Sequence, residues 1–129
     1  MHVLRNMVEA VKPGGHVLDL QVIRPNPVLE VERRVVCEID GTPLFRTADA
    51  AAAAVDALVV AGRLVEQAID DHDVRRHYAS GVEVIADFEG KERTLPPEAL
   101  PVLRALDERC VMRERCRLRR LQVRPALVF

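Results

Sequence analysis

Aromatic residues are nearly missing from this chain. Phe45, Phe88, Phe129 and Tyr78 are all there are, and tryptophan is absent. So few rings cannot build a stacking platform for bases, and nucleic-acid binding is not expected. Charge of one sign is lacking too. A formal net charge of −1 supplies no field to draw in nucleic acid or an anionic membrane. Lysine is scarce, with only Lys12 and Lys91 beside seventeen arginines. No run approaches the roughly 20 apolar residues of a membrane span. The N-terminus has Arg5 but no long apolar stretch, so no signal peptide is expected. Cys37, Cys110 and Cys116 form no CxxC pair, and three thiols cannot all close into internal disulfides. Reduced structural thiols and a cytoplasmic location are the expectation.

What is present suits one folded unit. The 129 residues are 49% hydrophobic and 30% charged, enough for a single core and a single domain over 1–129. Val3, Leu4, Met7, Val8 and Val11 follow helical spacing over 3–11, and Pro13-Gly14-Gly15 turns the chain out of that helix. "HVLDLQVI" (16–23) is a strand. Leu18, Leu20 and Val22 lie on one face, and Val17, Asp19, Gln21 and Ile23 on the other. The prolines of "RPNP" end it.

Residues 28–46 are rich in β-branched side chains and predict a β-hairpin region, with Asp40-Gly41 as the stronger turn signal. Thr47 to about Asp71 predicts one long helix with a stripe through Val55, Leu58, Val59, Gly62, Val65 and Ile69. "DVRRHYA" (73–79) predicts a short strand. Ser80 to Glu83 matches a capping box that opens a short helix burying Val84, Ile85 and Phe88. Residues 96–109 predict another helix, with Leu100, Leu103 and Leu106 facing the core. Residues 110–123 alternate as a strand, although their propensities also permit a helix. As a strand it sets Met112, Glu114, Cys116 and Leu118 on one face and Arg113, Arg115, Arg117 and Arg119 on the other.

The passage helix–Lys12-Pro13-Gly14-Gly15–"HVLDLQVI" resembles the late part of a class I S-adenosylmethionine-dependent methyltransferase. There an amphipathic helix ends in a Lys/Arg-Pro-Gly-Gly turn feeding the fifth strand of a parallel sheet. The resemblance implies that 47–71 is the following helix, 73–79 the sixth strand and 111–123 the antiparallel seventh. That family holds its cofactor on a glycine-rich loop after its first strand and a carboxylate after its second. This chain contains no G-x-G motif, so the cofactor-binding N-terminal half is not in it. Neither a cofactor nor independent methyl transfer is expected. Whether the protein is an enzyme at all is open.

Several side chains can be weighed for chemistry. Asp19, Gln21, Arg24 and Asn26 cluster at the carboxyl end of the strand 16–23, where open sheets bind ligands, and His77 joins them as a candidate. The plain alternative is a hydrogen-bond network bracing the loop. Asp70, Asp71, His72, Asp73 and His77 are metal-type donors, but their spacing matches no standard site, and no metal is expected. No Ser, Cys or carboxylate is spaced to make a relay with His16 or His77, so no catalytic residue is assigned. Cys37 reads as packed rather than nucleophilic. The arginine row 113–119 could meet phosphates, or be a solvated strand face neutralised by acids from the helices.

The expected fold is therefore α+β: a small mixed sheet packed with three to four helices. It combines one parallel-type strand, an antiparallel C-terminal strand and a hairpin over 28–46. Strand 16–23 would leave an apolar edge unpaired, which calls for cover. The expected function is a non-catalytic binding or assembly protein, self-associating as a homodimer through strand 16–23 and helix 3–11, with a protein partner as a further possibility. The alternatives are a small enzyme or ligand binder with a pocket at the dimer interface, or a fragment of a full methyltransferase.

Overall fold

A computed structural model describes residues 2–125, and Phe129 lies outside them. The elements run α1 (His2–Ala10), β1 (His16–Val22), β2 (Val28–Val31), β3 (Arg34–Glu38), α2 (Thr42–Val60), β4 (Leu64–Tyr78), α3 (Gly81–Phe88), α4 (Ala99–Ala105) and β5 (Cys110–Val123). The fold is α+β, with five strands and four helices among the described residues.

Long β5 is the axis of the sheet. One of its edges takes β1 and β2, the other takes β4, and β3 extends the sheet beyond β2. All these pairings are antiparallel, so β1 and β4 run the same way on either side of β5. Leu18 faces Arg120 and Gln21 faces Arg117 across β1–β5, while Asp71 faces Arg117 across β4–β5.

Alternation along β5 builds two cores on opposite faces. In its first half the even residues are inner: Cys110 and Met112 pack with Leu29, Tyr78, Val84 and Leu103 beneath α3 and α4. In its second half the odd residues are inner: Leu121 and Val123 pack with Val17, Leu64, Val55, Leu4 and Val8 beneath α1 and α2. A bulge between Glu66 and Ala68 shifts the register of β4 by one residue. That shift lets Leu64 join the same face as Ile69, Asp71 and Asp73. Each sheet face thus has a half covered by helices and a half left bare.

Several element boundaries differ from the sequence expectation, and the helix expected over 96–109 is the shorter α4, Ala99–Ala105. The hairpin is 28–38 rather than 28–46, and its turn is Glu32-Arg33, both at positive φ (49° and 67°). Asp40-Gly41 instead starts α2: the Asp40 carboxylate accepts from Thr42 N (3.0 Å), and Gly41 is the N-cap. The long helix expected over 47–71 is α2 followed by the first half of β4. Gly62 (φ 75°) closes α2 in a Schellman turn, with Arg63 N bonded to Leu58 O and Gly62 N to Val59 O. The expected strand 73–79 is the second half of the same β4. The capping box stands: Ser80 Oγ accepts from Glu83 N, and the Glu83 carboxylate accepts from Ala79 N.

Candidate functional site

Two neighbouring features surround β1: a charged cleft on one side and a bare apolar edge on the other. The cleft, about 550 Å³, lies between α2 and the odd-numbered sheet face. Small Ala48 and Ala52 on α2 leave the space, and Asp19, Gln21 and Arg24 enter from β1 and its loop. These three sequence candidates are therefore brought together. Gln21 Nε2 donates to Asp19 Oδ1 (2.9 Å), while Asp19 Oδ2 is buried with no partner among the described residues.

The other charges here are satisfied. Arg24 makes a two-pronged bond to Asp49 (3.1 and 2.9 Å) and lies 5.0 Å over the Phe45 ring. Its guanidinium holds the Asp49 carboxyl below the ordinary range. Arg119, buried, donates to Glu66 (2.6 Å) and Asp56 (2.9 Å). Arg117 grips Asp71 (2.8 and 2.9 Å) and depresses its pKa.

Asn26 does other work. Its amide donates to Glu38 (2.9 Å) and its oxygen accepts from Gly41 N (3.1 Å), tying the loop after β1 to the start of α2. That is the bracing role. His77 does not join the cluster. It pairs with Val111, eight positions along β5 from Arg119, about 27 Å at the rise of a strand.

The arginine row is neutralised, but mostly by strands rather than helices. Arg113 bonds Glu30 (2.8 Å) and Arg115 bonds Asp73 (3.2 Å), and of the acids paired with the row only Asp56 comes from a helix. The donors at 70–77 are divided by strand alternation, with Asp70 and His72 on one face and Asp71, Asp73 and His77 on the other. No group of three or more such donors forms a metal site among the described residues. Burial pushes all three thiols up in pKa, the opposite of what a nucleophilic cysteine needs.

The edge is the feature sequence reasoning located best. Leu18 and Leu20 are 62% and 55% exposed, although they sit on a strand. They occupy the bare half of the even-numbered face, beside half-buried Leu118. Beside β1 a small groove of about 150 Å³ is lined by Leu4, Met7, Val17, Leu18, Ala51 and Val55 together with the polar Asp19 and Gln21. The Ile23 amide points inward to Arg115 O (2.9 Å). By alternation the amides and carbonyls of Leu18, Leu20 and Val22 point outward, where no strand meets them among the described residues.

Among the described residues no helix is long and apolar enough to cross a membrane. No family model, no curated protein and no solved structure matches this chain.

Proposed function

We propose that this chain is a non-catalytic assembly module, built like the closing section of a class I methyltransferase, that pairs with a second copy of itself through β1. The carrying observation is the unpaired β1 edge with two exposed leucines beside it. Unsatisfied amides flanked by apolar side chains favour strand addition. Of the other free edges, β4 carries Asp70, Asp71, Asp73, Arg75 and Arg76, which protects it.

Self-complementarity selects a second copy as the occupant. A two-fold axis through Leu20 sets Leu20 against Leu20, Leu18 against the partner's Val22 and Val17 against the partner's Ile23. The same register sets Asp19 against the partner's Gln21, a carboxylate opposite an amide donor. The strand directions support the methyltransferase comparison: β1 and β4 run together and β5 against both, as for a fifth, a sixth and an antiparallel seventh strand. The β2–β3 hairpin, α3 and α4 stand outside that order. Without a glycine-rich loop in these residues, the reading assigns no methyl transfer.

Light scattering tests it. The expected result is a dimer at micromolar concentration, converted to monomer by Leu20→Lys with an unchanged circular dichroism spectrum. A monomeric parent chain, or a Leu20→Lys variant that stays dimeric, would overturn the reading.

A further inference from the structure

The bare half of the odd-numbered face is lined by charged side chains. Its floor is β2, β5 and β4 side by side. A concavity of about 630 Å³ opens there, and Arg33, Arg75 and Arg109 line it from three different segments: the hairpin turn, β4 and the approach to β5. None of the three has a carboxylate partner among the described residues, while the neighbouring Glu30 and Asp73 are taken by Arg113 and Arg115. Three free guanidiniums therefore meet one free carboxylate, Glu32. The register adds a conflict. Arg75 stands directly opposite Arg113, and like charges directly opposed across a strand pair repel. His77, opposite Val111, lies on the same face.

We propose that this concavity binds a small phosphate-bearing ligand, held by Arg33, Arg75 and Arg109. Guanidinium forks match phosphate oxygens in pairs, and an anion held by Arg75 offsets its repulsion with Arg113 opposite it. A nucleic-acid strand fits less well, because no aromatic side chain lines the concavity to stack a base. The inference is independent of self-association, since it involves neither β1 nor α1.

The test is calorimetric titration of the full chain with inorganic pyrophosphate, alongside thermal melting. Saturable binding is expected, weakened about tenfold by Arg75→Gln or by Arg109→Gln. Arg120→Gln, an exposed residue of the opposite face, should leave it unchanged. Free of ligand, Arg75→Gln should melt about 1–2 °C higher than the parent and lose the pyrophosphate-induced rise. Arg109→Gln, on a separate segment, reads the same site if Arg75→Gln does not fold. Absence of saturable binding, equal weakening by Arg120→Gln, or tighter binding of a single-stranded oligonucleotide than of pyrophosphate would each overturn the proposal.

Discussion

Among single residues, the sharpest dependence falls on Glu114. It is buried in β5 and clasped by Arg93 through two bonds of 2.6 and 2.8 Å. Removing one partner strands the other charge away from water. Glu114→Ala should cost about 3–5 kcal/mol in urea unfolding, whereas Arg93→Met combined with Glu114→Leu should recover most of it. Asp87 acts through pH. The Tyr78 hydroxyl first, then Lys91 and Arg76, hold its carboxyl down to about 2, while burial and Asp87 itself push Tyr78 up to about 12. An unfolded carboxyl titrates near ~4. Because the folded value is lower, this contribution is present above about pH 4 and is lost as pH falls toward 2. The stability gap between the parent and Asp87→Asn should close over that window, as urea midpoints measured from pH 5 to pH 2 would show. Asp19, Gln21 and Arg24 were legible as a group because strand alternation and the following prolines place them without tertiary knowledge. The bracing by Asn26 and the remoteness of His77 were not, since both depend on pairings far apart in the chain.

For the elements, two turns explain what the sequence concealed. A two-residue hairpin turn with both φ values positive normally advertises itself with Asn-Gly or Asp-Gly. Here Glu32 and Arg33 occupy it, and the Asp-Gly that looks like the turn caps a helix instead. Glu32→Asn with Arg33→Gly should relieve the left-handed strain and stabilise the chain by about 1–2 kcal/mol, read as a higher urea midpoint at unchanged slope. Gly62 hid the other boundary. It falls on the apolar stripe that continues through Val65 and Ile69, so helical periodicity runs on past the true end of α2. β-branched residues over 64–74 are only intermittent, and β4 is a strand chiefly because β5 pairs with it along its length. By contrast, β5 itself and the capping box of α3 were readable, since alternation and a local side-chain bond define them.

In the whole molecule, the offset cores leave half of each sheet face bare, one beside exposed Leu18 and Leu20 and the other lined by charged side chains. The same arrangement bears on how the chain reaches its shape. β1, β2 and β4 all pair with β5, and β5 follows every one of them in sequence. Before it arrives, β1 and β4 have no neighbour to bond, and only the β2–β3 hairpin can close locally. Most stabilising contacts therefore join distant residues, and their loop-closure entropy must be met before any reward. Such a topology belongs with slow folders, on the millisecond-to-second scale, rather than with helical bundles of similar size. During that interval Leu18 and Leu20 do not have β5 beside them, so chaperone dependence and folding yield should track this one strand.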